Sequence, residues 1–294
     1  MLETQSSAMR WARRMGFERI AWSLRRLHCP IDDNALVLEV GSGGNPYPRA
    51  NVLLDAYETT RERHWVPLTV DRPTVLGFVE SLPFRDKAFD FVIASHVLEH
   101  SADPERFLGE LQRVAKAGYI EVPDAFMERI NPYHDHRLEI TTREGSLVIR
   151  KKPGWRADPE IVELYEDRAK PLVAGHLIPT HPFEFHVRHY WESHIAFTVL
   201  NPEVRADWQP PEGTSAGHGT PLRTGWRGMA LNALRATLSQ SRRNKGIQLK
   251  ELMRCPGCGS NALTELASSL VCDACHAEYP VKRGVPAMYP SETV

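Results

Sequence analysis

The chain has 294 residues, of which 42% are hydrophobic and 25% charged, and its formal net charge is −1. This length suits one α/β domain of ordinary size with a small additional module, and the near-zero charge gives no global attraction to nucleic acid or membrane. Because there is no run of about eighteen apolar residues and no apolar signal core near the arginine-rich start, we expect a cytoplasmic protein without a membrane-spanning helix.

The first predicted element is Met9–Leu27, which combines aromatic residues with several arginines and predicts one or two helices. The next, Val37–Tyr57, is the most informative stretch of the chain. Val37, Leu38 and Val40 form a short apolar strand, a glycine turn follows at once, and a second apolar strand leads into Asp55. Glycines allow a sharp turn with positive φ and close approach of a ligand. An acid at the end of the second strand can accept hydrogen bonds from ribose hydroxyls, so the pattern predicts a site for an adenosine-containing cofactor.

The turn itself distinguishes between cofactors. A dinucleotide site needs a glycine at the sixth position of G-x-G-x-x-G, and the stretch 41–46 lacks it. Glu39 would repel a pyrophosphate but suits an ammonium or sulfonium group. The resulting E-x-G-x-G pattern resembles motif I of class I S-adenosylmethionine (SAM) methyltransferases. The resemblance implies that the methionine part of SAM is held by Glu39, Gly41, Ser42 and Gly43, and that Asp55 is the ribose acid.

The following residues continue the resemblance. Ser81–Asp90 (SLPFRDKAFD) leads into an apolar strand, and SHVLEH follows at 95–100. Pro104–Val114 has a helical pattern, and Tyr119–Pro123 reads as a further strand. This order resembles the LPF…FD, S-x-VLEH and I-E-V-P series of class I methyltransferases over residues 35 to 125. It implies that Ser95 and His96 pass under the methionine, and that the N-terminal helical segment covers the cofactor pocket.

The adenine segment departs from the family pattern. Phe78, Val79 and Glu80 match it by position, but Phe78 stands where an aspartate would bind the adenine amino group. Phe78 can stack on adenine, the hydrogen bond can be lost with weaker binding, or the ring can simply pack under the loop. The sequence leaves these three interpretations open.

Residues 124–202 follow the fifth strand, where this class inserts acceptor-binding structure, and they are rich in histidine. His134 and His136 are candidates for a general base that removes a proton from the acceptor. H-x-H on a strand can also present two imidazoles to a metal ion, and surface or core histidines are a third interpretation. Pro182–Trp191 alternates like a strand, with Phe183, Phe185 and Val187 on one face.

Residues 203–250 have the composition of a linker, and Gly228–Gln240 predicts one amphipathic helix within it. From Arg223 to Arg254 there are eight Lys or Arg residues against one acid. Such a run can follow RNA phosphates, or it can be the solvated face of a helix and a polar linker.

Near the end of the chain, Cys255 and Cys258 form one C-x-x-C pair, and Cys272 and Cys275 form a second pair after thirteen intervening residues. Two such pairs offer four thiolates for a structural zinc, with room for a hairpin between them. His276 is an alternative ligand. The surrounding sequence, above all Y-P-V-x-x-G-V-P at 279–286, resembles the Trm112-type zinc ribbon, a family whose members activate methyltransferases in eukaryotes. The resemblance implies a scaffolding role, because four cysteines leave no open coordination position.

These observations predict an α/β, Rossmann-like class I methyltransferase sheet with helices on both faces and a small C-terminal zinc ribbon. The predicted domains are 1–202 (methyltransferase), 203–250 (linker with a helix) and 251–294 (ribbon). We expect SAM as cofactor, a structural Zn²⁺ and O- or N-methylation of a small molecule. The sequence leaves the oligomeric state open, and an exposed ribbon is compatible with a homodimer. The alternatives are an RNA methyltransferase that uses the ribbon and the basic linker, and a non-catalytic SAM-binding regulator.

Overall fold

The computed structural model describes residues 2–61, 65–209 and 237–290, which fall into two compact units. The first unit contains 2–32, 94–105 and 119–209, and the second contains 33–93, 106–118 and 237–290 as far as these are described. Two of the boundaries in sequence fall within β4 (Phe89–Ser95) and β5 (Ala115–Pro123). Within the described residues, no helix combines the length and the apolar character needed to cross a membrane.

The main sheet has six strands in the order β3-β2-β1-β4-β5-β8. The remaining members are β1 (Val37–Val40), β2 (Val52–Asp55), β3 (Thr74–Leu76) and β8 (His186–Glu192). β1 and β2 are parallel, as are β2 and β3, and all their residues are buried. Placing β1 between β2 and β4 is the order of a doubly wound α/β sheet, which confirms the predicted Rossmann-like fold class.

The connection from β1 to β2 is a glycine turn and loop rather than a helix. Asn51 closes it, because its backbone N–H donates to the Val37 carbonyl (2.8 Å) and its side chain accepts from the Val37 N–H (3.0 Å). β2 therefore starts beside β1. Its last residue, Asp55, lies beside the glycine turn that follows β1.

The second unit continues through α3 (Pro104–Val114), α8 (Ser241–Asn244) and α9 (Leu249–Leu252). The bounds of α3 are those predicted. A separate antiparallel sheet contains β10 (Leu263–Glu265), β11 (Ser269–Cys272), β12 (Glu278–Lys282) and β13 (Val285–Pro286). β10 and β11 form the expected hairpin between the two cysteine pairs.

The first unit begins with α1 (Ser7–Arg14) and α2 (Glu18–Leu24), which confirms the predicted N-terminal helices. After α4 (Ala125–Ile130), the hairpin of β6 (Leu138–Arg143) and β7 (Ser146–Lys151) pairs with β9 (Phe197–Val199) in a three-stranded sheet. A helical stretch over residues 159–180 comprises α5 (Pro159–Leu164), α6 (Lys170–Leu172) and α7 (Ile178–Thr180), joined by wider π-helical turns.

The predicted strand over Pro182–Trp191 is correct only in its second half. Pro182 opens a 3₁₀ turn, and its carbonyl accepts a hydrogen bond from the ring Nδ1 of His186 at 2.9 Å. The strand therefore starts at His186, and Phe183 and Phe185 precede it. Of the predicted helix Gly228–Gln240, the part 228–236 lies outside the described residues. The division into three predicted domains stays a prediction.

Candidate functional site

The glycine turn after β1 has the geometry that its sequence predicts. Gly41 and Gly43 have φ angles of 65° and 57°, in the left-handed region that favours glycine. The backbone N–H of Gly43 donates to Oδ2 of Asp55 at 2.9 Å, and the N–H of Tyr57 donates to Oδ1 at 3.2 Å. The turn after β1 and the acid that ends β2 are therefore fixed to each other.

Two further polar residues lie buried at this turn. Glu39 on β1 is 3% exposed and accepts a hydrogen bond from the Tyr47 N–H at 2.7 Å. Ser42 is 4% exposed, its N–H donates to the Leu54 carbonyl at 3.2 Å, and its hydroxyl has no hydrogen-bond partner within the described residues. A buried hydroxyl without a partner is unfavourable in a folded protein, so a polar ligand at the turn would satisfy it.

An aromatic cluster surrounds the predicted adenine segment. The ring of Phe78 lies 6.1 Å from that of Tyr57 and 5.2 Å from that of Tyr289, centroid to centroid. The Tyr289 hydroxyl donates to the Ala56 carbonyl at 2.7 Å. Phe78 thus packs within aromatic side chains, and Val79 and Glu80 continue into a 3₁₀ turn in which Val79 is buried.

Tyr289 reaches Phe78 because the tail of the chain follows the edge of β3. Ala287 forms a parallel bridge with Leu76, and the Met288 N–H donates to the Leu76 carbonyl at 2.7 Å. Gly77 permits this approach, because a Cβ there would lie 3.2 Å from the Met288 carbonyl oxygen. The sequence alone indicated neither this pairing nor the position of Tyr289.

The four predicted cysteine ligands are brought together, with their sulfurs all within 4.8 Å of one another. The Sγ atoms of Cys255 and Cys275 are 3.6 Å apart, and those of Cys258 and Cys272 are 3.5 Å apart. Four sulfurs at about 2.3 Å from a tetrahedral zinc would be about 3.8 Å apart, so the donor set fits the ion. The Tyr279 hydroxyl lies 3.0 Å from Cys255 Sγ and can donate to a thiolate there. His276 is not a member of this group within the described residues.

The first unit contains a separate buried polar network centred on Glu121. This carboxylate accepts two hydrogen bonds from the Arg25 guanidinium, at 2.7 and 2.9 Å, and one from the Ser95 hydroxyl at 3.2 Å. The Tyr119 hydroxyl donates to it as well. Burial alone would raise the pKa of Glu121, but hydrogen bonds from His96, Arg25 and Tyr119 outweigh it and lower the pKa below its usual range.

His96 joins Glu121 to a second buried acid. Its backbone has φ 57°, an uncommon conformation for a residue other than glycine. Its ring nitrogens lie 3.5 Å from Glu121 and 3.5 Å from Glu99. Burial opposes a charge on the ring, but the two carboxylates prevail and raise the pKa of His96 to about 9. The pKa of Glu99 is lowered, whereas that of His96 is raised. Burial would raise it, but the neighbouring imidazoles lower it to about 2.

The two histidines predicted as general bases have different surroundings. The ring of His134 stacks on Trp155 with centroids 4.4 Å apart. His136 is nearly buried, and its Nδ1 lies 2.7 Å from Oε2 of Glu128. Its ring centroid is 4.9 Å from that of His100.

Sequence reasoning did not select five of these residues. They are Arg25, Glu99, His100, Tyr119 and Glu121. The sequence carried a signal for two of them. Glu121 is an acid in the middle of an apolar strand, and Glu99 is an acid followed by a histidine shortly after a strand. A buried acid in either position needs partners.

The comparisons with known proteins agree with the resemblance at the level of the domain. Residues 48–120 match the Methyltransf_11 family model, described as a methyltransferase domain. The ubiquinone/menaquinone biosynthesis C-methyltransferase UbiE of Xylella fastidiosa (strain M23) is 34% identical over 82 residues, which cover 26% of this chain and 32% of the relative. The chain thus spans 32% of the length of that curated relative.

Solved structures show only distant likeness. A SAM-dependent methyltransferase from Thermotoga maritima is 22% identical, over 40% of this chain and 57% of its own, with a TM-score of 0.29. A chain from the complex between the Haloferax volcanii Trm112 methyltransferase activator and a methyltransferase is 19% identical. The match covers 48% of this chain and 78% of that one, with a TM-score of 0.30. Likeness at this level identifies neither ligand nor acceptor. The comparisons thus support a SAM-dependent methyltransferase, through a match to a methyltransferase-domain family model over residues 48–120.

Proposed function

We propose that the protein is a SAM-dependent methyltransferase that acts on a small molecule. The observation that carries the proposal is the bond from the Gly43 N–H to the Asp55 carboxylate. This bond holds the Asp55 carboxylate beside a positive-φ glycine turn, and Asp55 lies within the residues that match the methyltransferase domain, which supports a role as the ribose acid.

The second unit supplies the residues proposed to bind SAM. Glu39, Ser42 and the glycines of the turn would hold the methionine part, and the buried Ser42 hydroxyl would gain a partner there. Asp55 would accept from the ribose hydroxyls, and the aromatic cluster at Phe78 would contact the adenine. When bound, SAM supplies an electrophilic methyl group on a sulfonium. The contribution of Ser95 and His96 to the methionine site stays a prediction.

The proposed acceptor is a small molecule, methylated at oxygen or nitrogen. In-line methyl transfer needs proximity and alignment, with removal of a proton where the acceptor is a hydroxyl or amine. His134 and His136 stay predictions for that base. The matched relative is named as a C-methyltransferase, so carbon acceptors belong in the screen as well.

The cysteine cluster is proposed to hold a structural zinc in a Trm112-like ribbon. The four-sulfur spacing supports this proposal, and so does the Tyr279 hydroxyl next to Cys255. The tail that follows the cluster pairs with β3 and contributes Tyr289 to the aromatic cluster. The proposed role of the ribbon is therefore to stabilise the cofactor side of the sheet.

The RNA alternative rests on the basic run from Arg223 to Arg254, much of which lies outside the described residues. Two of its described arginines are engaged within the protein. Arg243 donates to the backbone carbonyls of residues 33–35, and Arg254 pairs with Asp86 at 3.0 Å. These contacts favour a small-molecule acceptor over RNA.

Isothermal titration calorimetry with SAM and S-adenosylhomocysteine tests the proposal. We expect the Asp55→Ala variant to weaken binding by about 1–3 kcal/mol, because the ribose hydroxyls lose a charged acceptor. Asp167→Ala, at an exposed position of the first unit, is the control and should bind like the wild type. A folded wild type that binds neither compound would contradict the proposal, as would equal affinity in Asp55→Ala. Titration with bulk tRNA tests the RNA alternative, and tight SAM binding without turnover in an acceptor screen would favour the non-catalytic regulator.

A further inference from the structure

The polar groups around Glu99 are organised as a metal site. Glu99 and His100 lie together in a 3₁₀ turn directly after β4, and His136 comes from the loop before β6. One ligand atom from each of the three lies within 4.8 Å of the others. The Arg137 N–H donates to the Glu99 carbonyl at 2.7 Å, which ties the two segments together beside these side chains.

Glu99 is a buried acid whose oxygens lack hydrogen-bond donors within the described residues. The residue is 2% exposed, and neither carboxylate oxygen makes a hydrogen bond within the described residues. Its ion-pair partner, Nδ1 of His96, is 3.5 Å away, which is long for a hydrogen bond. The buried charge of Glu99 is thus balanced by an imidazole at ion-pair distance but not by hydrogen bonds, and a coordinated metal would satisfy its oxygens directly.

Each of the two histidines has an acceptor beside its Nδ1 atom. Nδ1 of His100 lies 3.1 Å from the Asp135 carbonyl oxygen, and Nδ1 of His136 lies 2.7 Å from a Glu128 carboxylate oxygen. Both partners are acceptors, so each Nδ1 carries the proton and each Nε2 presents a lone pair in the neutral ring. Metal-bound histidines typically donate their other ring N–H to a carbonyl or carboxylate in this way.

The carboxylate behind His136 is itself held in place. Glu128 is 6% exposed and accepts from Lys152 Nζ at 2.6 Å and from the Tyr133 N–H at 3.0 Å. Lys152 offsets the charge of Glu128, so this acid serves to orient His136 while the charge of Glu99 is left for a cation.

We propose that Glu99, His100 and His136 bind one divalent first-row transition-metal cation. Two imidazoles and one carboxylate suit Mn²⁺, Fe²⁺, Co²⁺ or Zn²⁺, and three protein ligands leave positions for water or a substrate oxygen. The site is distinct from the cysteine cluster and does not depend on the proposed methyl transfer. A metal-bound His136 cannot also act as a general base, so these two roles are alternatives.

The test is calorimetric titration of the full chain, with the cysteine cluster loaded with zinc, using Mn²⁺ and Co²⁺ separately. We expect one equivalent to bind to the wild type, and His136→Ala or His100→Ala to weaken binding by at least about 100-fold. Glu128→Gln should weaken it by about 10–100-fold, as loss of an orienting partner does. His134→Ala is the matched control, two residues away and stacked on Trp155, and should bind like the wild type.

Circular dichroism and SAM titration of each variant separate metal loss from misfolding and from failure of the cofactor site. If a folded wild type takes up neither ion, the proposal is wrong. Equal uptake by the wild type and by folded His136→Ala also overturns it.

Discussion

Replacing Arg25 with alanine should destabilise the first unit strongly. The Arg25 side chain is 10% exposed and Glu121 is fully buried, so solvent screens their ion pair little. The substitution removes two charge-assisted hydrogen bonds to a carboxylate that stays in the interior. Breaking such a pair by removing one partner costs about 3–5 kcal/mol. The guanidinium also lies 3.6 Å from the centre of the Trp22 ring, a contact worth about 1 kcal/mol more.

Urea unfolding measured by circular dichroism gives the loss directly. Arg25→Lys keeps the charge but not the paired donors, so its loss should lie between those of the wild type and Arg25→Ala. Arg14→Ala, at an exposed position on α1, is the control and should change the free energy of unfolding by less than about 0.5 kcal/mol. A loss under about 1 kcal/mol in Arg25→Ala would contradict the reasoning, because the ion pair would then be replaceable by solvent.

The loss of unfolding free energy in Arg25→Ala should depend on pH, and the pKa of Glu121 gives the sign of this dependence. The pKa of Glu121 is lowered in the folded protein from its ordinary value of 4.5. A lowered carboxyl pKa gives stability that is fully present above the unfolded value and is lost as pH falls toward the folded one. Glu121 takes up a proton more readily in folded Arg25→Ala than in the folded wild type, so the gap between their free energies of unfolding should narrow as pH falls. A gap that widens on acidification would show that Glu121 is not the partner responsible.

Three further predictions concern the second unit. Metal analysis should find one zinc per chain at the cysteine cluster, and Cys272→Ser should lose it and unfold at lower temperature; an equally stable metal-free variant would contradict a structural zinc. Gly77→Ala should cost about 1–3 kcal/mol in urea unfolding, because its Cβ would crowd the Met288 carbonyl, whereas Gly154→Ala, with open space around it, should not. Tyr289→Ala should weaken SAM binding in calorimetry by about 0.5–1.5 kcal/mol, the size of an aromatic contact, while Tyr289→Phe keeps the ring; equal affinities would remove Tyr289 from the site.

Local features of the fold followed from the sequence because they depend on residues close in the chain. The strand at Val37–Val40, the positive-φ turn and α3 each have a periodicity or a glycine requirement that can be read from a short window. The bounds of α3 were predicted without error. The predicted strand at Pro182–Trp191 started too early. Alternation alone does not reveal that Pro182 begins a 3₁₀ turn, or that the His186 ring donates a hydrogen bond to the Pro182 carbonyl.

Features that depend on distant residues could not be predicted. Arg25 and Glu121 are 96 residues apart in the chain, and the local sequence around either residue does not indicate the other as its partner. The pairing of Ala287 with Leu76 depends on where the tail passes β3, and it alone brings Tyr289 to Phe78. Composition and spacing specify the partners of a residue only over a few positions, so such contacts need the folded structure.

Glu99 and Glu121 are both buried acids beside His96, but their surroundings differ in a way that bears on function. Glu121 accepts hydrogen bonds from an arginine, a tyrosine and a serine, which account for its charge as a structural element. Glu99 has no comparable donors within the described residues, and a ring nitrogen of each of two histidines lies within 4.8 Å of one of its oxygens. If stability were the only requirement, a neutral residue at position 99 would avoid the desolvation of a carboxylate. The proposed metal ion would give the Glu99 oxygens the direct partners that they lack, and metal titration is the most informative experiment on the first unit.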